Sequence, residues 1–85
     1  IFTRRDVELG EKARSVVENE TYKDALVTVR NRYVESLINT AEDESAKREK
    51  AYMAIRMLEE VEAQLVSVMD KGKLAKQHLD KLNRR

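Results

Sequence analysis

The chain has no cysteine, no proline, no tryptophan and only two glycines. Without cysteine neither a disulfide framework nor a thiolate metal site can form, and a reducing cytosol is compatible with the chain but not demanded by it. With proline absent and glycine confined to Gly10 and Gly72, little interrupts a regular backbone. No stretch approaches the roughly 18 consecutive apolar residues of a membrane span. The opening Ile1-Phe2-Thr3-Arg4-Arg5-Asp6 lacks the apolar run of a signal peptide. Because Ile1 is not an initiator methionine, a few residues are expected to precede it.

What remains is a chain of 85 residues, 41% hydrophobic and 39% charged. That is too apolar for a disordered polymer and suits solvated helices joined along seams. A chain this short buries a smaller share of its surface than a typical domain, so its core should be thin. The expected fold is all-α, a single small domain over 1–85. Its centre is an antiparallel helical hairpin, with a short N-terminal helix and a short C-terminal helix.

The spacing predicts helices over about 4–18, 20–39, 43–71 and 73–82. In the first, Val7, Leu9, Ala13, Val16 and Val17 are the apolar positions, and Asp6, Glu8 and Glu11 lie near the positive end of the dipole. Gly10 in its interior costs about 1 kcal/mol relative to Ala, which predicts either a bend or the close approach of another backbone. Asn19-Glu20-Thr21 interrupts the pattern with cap-forming residues. Tyr22, Ala25, Leu26, Val29, Tyr33, Leu37 and Ile38 then mark the second helix. Val27 and Val34 widen its apolar face, as expected of a helix covered on more than one side. Thr40-Ala41-Glu42-Asp43 has the form of a capping box opening the third helix. Gly72 is expected to stop that helix, after which Leu74, Ala75, His78, Leu79 and Leu82 form a stripe on a fourth.

The third helix carries the most regular pattern in the chain. Ala51, Ala54, Leu58, Val61, Leu65 and Val68 recur at alternating steps of three and four, a narrow seam of the kind that meets another helix. Roughly 28 residues make about 42 Å of helix, more than the second helix can cover. Part of the seam should therefore be left for a partner, with Tyr52 beside it as the best placed aromatic contact.

No cluster specifies a reaction. The only histidine, His78, follows Leu74 and Ala75, so neither His-Glu-x-x-His nor a Glu-x-x-His di-iron site can be assembled. It reads as a partly covered interface residue. Two isolated glycines make no phosphate-cradling loop. Ser15, Ser36, Ser45 and Ser67 have no base to activate them. Glu59, Glu60 and Glu62 fall off the seam and read as a solvated face rather than an acid–base pair. Asn19-Glu20-Thr21 fits a glycosylation sequon, but it is better explained as a helix boundary. Tyr22 and Tyr33 belong to an apolar face rather than a base-stacking surface. No catalytic residue, cofactor, metal or small-molecule substrate is expected.

Residues 71–85 hold Lys71, Lys73, Lys76, Lys81, Arg84 and Arg85 against the single acid Asp80. They are the candidate anion-binding group, through which a nucleic acid would be held by counterion release. No base-reading helix accompanies them.

Leu9-Gly10-Glu11-Lys12-Ala13, Val16-Val17-Glu18-Asn19 and Tyr22-Lys23-Asp24-Ala25-Leu26 resemble the opening of small helical proteins encoded among the head and packaging genes of tailed bacteriophages. The Thr40 turn, Arg48-Glu49-Lys50-Ala51-Tyr52 and Asp70-Lys71-Gly72-Lys73-Leu74-Ala75 extend the likeness over most of the chain. The resemblance implies a virion or head-assembly role, in the virion or the host cytoplasm, and transfers no catalytic residue. The residues independently suggest a helical module that packs on copies of itself or on a larger protein. A nucleic-acid-associated protein with a basic tail and a small regulator lying in a host protein's groove are the two other readings.

Overall fold

A computed structural model describes residues 1–84, so Arg85, one of the candidate anion-binding residues, lies outside the described residues. Within them the chain forms three helices and no strand: α1 (Arg4–Val17), α2 (Glu20–Ile38) and α3 (Ser45–Asn83). The chain contains two compact units. One is Glu20–Val61; the other joins Ile1–Asn19 to the part of α3 from Glu62 onward.

In the second of these, Thr3 opens α1. Its hydroxyl accepts from the Asp6 amide at 3.2 Å while the Asp6 carboxylate accepts from the Thr3 amide at 2.8 Å, closing a capping box. The contacts run antiparallel. Phe2 meets His78, Asp6 meets Lys71 and Gly10 meets Gly72 and Val68. Gly10 and Gly72 meet at the crossing, and Ala13 and Ala75, each three residues further along its own helix, are buried with them. Two matching Gly-x-x-Ala pairs remove the side-chain bulk that ordinarily holds helix axes 8–10 Å apart. A β-carbon added at Gly10 would stand 2.6 Å from the Gly72 Cα.

Gly72 therefore does not stop α3. Its φ is negative, as at every described residue, so the left-handed cap geometry is absent. The separate fourth helix over 73–82 is likewise replaced by the continuation of α3 to Asn83. The glycine serves helix–helix approach instead, and Ala75 one turn on is wholly buried. Of the stripe expected beyond it, Leu79 is half-buried whereas Leu74 and Leu82 remain exposed; on α1, Leu9 and Val16 are also exposed.

In the unit Glu20–Val61, α2 doubles back into α3, with Tyr33 and Ser36 beside Lys47, Lys50, Ala51 and Ala54. Tyr22, Leu26, Val29, Val34 and Leu37 of α2 are half-buried and none is fully covered. Against them α3 presents Ala51 and Ile55, both buried, with Ala54 and Leu58 half-buried.

The connection is built differently from the expected capping box. The Thr40 hydroxyl donates back to the Leu37 carbonyl at 3.0 Å rather than accepting from an Asp43 amide. Helix α3 begins at Ser45, two residues later than expected. Glu44 opens it, its carboxylate accepting from the Ala41 amide at 2.7 Å and pairing with Lys47. Arg48 then ties the loop down. Its guanidinium donates to the Ala41 carbonyl at 2.6 Å, the Glu42 carbonyl at 3.2 Å and the Thr40 hydroxyl at 3.3 Å. These carbonyls fall outside any helical ladder, and a planar fork of donors suits them.

Two carboxylates make the caps sensitive to acid. The Thr3 amide holds Asp6 below the usual aspartate value, with Lys71 at 3.7 Å adding to the effect against partial desolvation. Lys47, then the Ala41 amide, hold Glu44 below the usual glutamate value. Lowered folded-state values mean that these caps contribute fully above the unfolded values, about 3.9 for Asp and 4.3 for Glu. The contribution is lost as pH falls through the folded values. Thermal unfolding followed by circular dichroism should therefore show a midpoint that falls below about pH 4, and Asp6→Asn should make that fall shallower. A midpoint unchanged from neutral pH down to pH 2, in wild type and variant alike, would contradict the capping geometry.

Candidate functional site

The expected seam residues divide into covered and open groups. Ala51 is buried, Ala54, Leu58, Leu65 and Val68 are half-buried, and Tyr52 and Val61 are exposed. The residues of α3 buried in this unit are Ala51 and Ile55, with Leu58 half-buried beside them. A straight helix drifts about 20° per heptad from a strict 3.5-residue register. Ile55, one turn after Ala51, stands about 40° from it around the helix and shares its covered face, while Val61 stands about 80° to the other side and is exposed.

Opposite the covered line, α3 carries a second apolar group. Met53 and Met57 are 58% and 59% exposed, and on α2 Val27 and Ile38 are open to solvent at 57% and 73%. Val27 and Ile38 belong to the apolar residues expected on the second helix, whereas Met53 and Met57 lie off the regular seam of the third and were missed. The signal available was the methionine pair four residues apart, which shares one side of a helix. Tyr52 is 56% exposed, and Glu59, Glu60 and Glu62 are solvated.

The basic residues do not form one surface. Lys71 lies 3.7 Å from the Asp6 carboxylate, which neutralises part of its charge. Lys73, Lys76 and Asp80 follow one another on one face at steps of three and four, so an acid interrupts the cations. Lys81 falls on another face, and Arg84 follows the last helical residue. Lys73 and Lys76 share a shallow groove with Arg14, but Glu11 lines it too and the Arg14 Nε is engaged by Glu18 at 2.9 Å. The His78 ring meets the Phe2 ring in a tilted arrangement with centroids 5.8 Å apart.

Among the described residues no group of three His, Asp or Glu side chains gathers in an arrangement that could hold a metal ion. No helix of the described residues is long and apolar enough to cross a membrane. Compared with known protein families, curated proteins and solved structures, the chain matches none.

Proposed function

We propose that the chain is a non-enzymatic helical assembly protein that works by packing helix against helix. The resemblance carried by its helix boundaries supports setting that work in the head or virion of a tailed bacteriophage. The observation behind the assembly reading is the imbalance within Glu20–Val61. Only Ala51 and Ile55 are buried there, while Val27, Ile38, Met53, Met57 and Val61 stay more than half exposed. Two helices have one mutual face; the apolar residues on their other faces gain nothing from folding alone, and partners are what such residues serve. The scattered cations of the C-terminal segment support the nucleic-acid reading less well, because phosphate tracking needs neighbouring, unpaired charges.

Affinity recovery of the tagged chain from its native source, at low and at raised salt, tests this reading. The expected result is stoichiometric co-recovery with a protein assembly that survives raised salt, as apolar contacts do. Recovery of a lone monomer, or of nucleic acid that dissociates as salt rises, would overturn it.

A further inference from the structure

Lys50, Met53, Met57 and Glu60 lie at steps of three, four and three along α3, the spacing that keeps side chains in one stripe. At 100° per residue this stripe stands on the far side of the helix from Ala51 and Ile55, which α2 covers. All four residues are exposed, and among the described residues neither Lys50 nor Glu60 has an ion-pair partner. The order of chemistry along the stripe identifies what fits it. Met53 and Met57 are two residues to either side of Ile55, and Lys50 and Glu60 five to either side, with opposite charges at the two ends.

We infer that this stripe is a self-complementary interface whose occupant is a second copy of the chain, laid antiparallel about a two-fold axis at the level of Ile55. The inference rests on the assembly reading above and names its partner. In such a pair Met53 of each copy meets Met57 of the other, and Lys50 of each meets Glu60 of the other. Every contact is made twice, as an isologous interface requires. A parallel pairing in register would instead set lysine against lysine and glutamate against glutamate, so charge selects the antiparallel arrangement. Flexible methionines fill the irregular space between two helices well. On one rim the two Arg56 side chains approach each other near the axis, a like-charge contact that makes this an exchanging dimer rather than an obligate one.

Sedimentation equilibrium of the full chain tests the inference through Lys50→Glu and Glu60→Lys, both at exposed positions whose helix content circular dichroism can verify. Wild type should show a monomer–dimer equilibrium. Each variant alone should raise the dimer dissociation constant at least about tenfold, because each sets like charges at both ends of the stripe. An equimolar mixture of the two should dimerise again, since a copy with two acids then meets a copy with two bases. A monomeric wild type, single variants that dimerise as wild type does, or a mixture without rescue would each overturn the inference. If wild type is monomeric but native recovery yields an assembly with another protein, the second-copy inference fails and the assembly reading stands. If dimerisation behaves as stated but native recovery yields only the dimer, the second-copy inference stands and the placement in a larger phage assembly is what fails.

Discussion

Gly10→Ala and Gly72→Ala should each destabilise the unit formed by α1 and the C-terminal part of α3, by about 1–3 kcal/mol as overpacked sites do. The sign makes the prediction discriminating. In an exposed helix interior, glycine to alanine is stabilising by about 1 kcal/mol. Here the added β-carbon would stand 2.6 Å from the Gly72 Cα in one case and 2.7 Å from the Gly10 Cα in the other. Those obstructing atoms are backbone, so no rotamer change relieves the clash and the helices must part. Valine at either position should separate them further. Amide hydrogen exchange reads the effect locally: α1 amides should lose protection, while those around Ala51 and Ile55 should change little. A gain in stability for both alanine variants would show that the helices do not cross at these glycines.

Ile55→Ala should be the most damaging truncation in Glu20–Val61, costing about 2–5 kcal/mol. Ile55 is the only large aliphatic side chain counted as buried among the described residues; Ala13, Ala51 and Ala75 are the others in the core. Leu58→Ala and Leu65→Ala should cost less, because both side chains are half-buried rather than enclosed. Glu59→Ala should stay within about 0.5 kcal/mol, as exposed substitutions do. Urea unfolding monitored at low protein concentration ranks the variants without interference from association. Equal effects at Ile55 and Glu59 would mean that α3 presents a different face to α2.

Helix existence and the bounds of α1 and α2 were legible in the sequence because local signals agree there. Apolar residues recur at helical steps, polar caps flank them and no proline intervenes. Gly72 was misread for a physical reason. Locally, a glycine at the end of a periodic stretch has the same appearance whether it caps a helix or admits a neighbouring backbone. The distinction lies with Gly10, far away in sequence, and the visible clue was the repeated Gly-x-x-Ala spacing at 10–13 and 72–75. Thr40 was misassigned because its hydroxyl turns back to the Leu37 carbonyl, and Glu44 takes over the start of α3 by pairing with Lys47 while accepting from the Ala41 amide. Arg48 carried no sequence signal at all; its three acceptors come from loop geometry.

Which apolar residues of α3 stay open was only partly legible. Tyr52 and Val61 are open, whereas Ala51, Ala54, Leu58, Leu65 and Val68 serve the chain's own packing to differing degrees. Periodicity finds apolar stripes but does not tell which are consumed within the chain. Met53 and Met57 are apolar residues the fold leaves over.

The central claim is that these leftover residues are covered in the working assembly, and oxidative labelling of the three methionines tests it most directly. Thioethers are oxidised according to their exposure, and Met69, half-buried in the other unit, is an internal reference. The account predicts that Met53 and Met57 label readily in the dilute chain and are strongly protected in the assembly recovered from the native source, with Met69 changing much less. Equal labelling of Met53 and Met57 in the two states would contradict it.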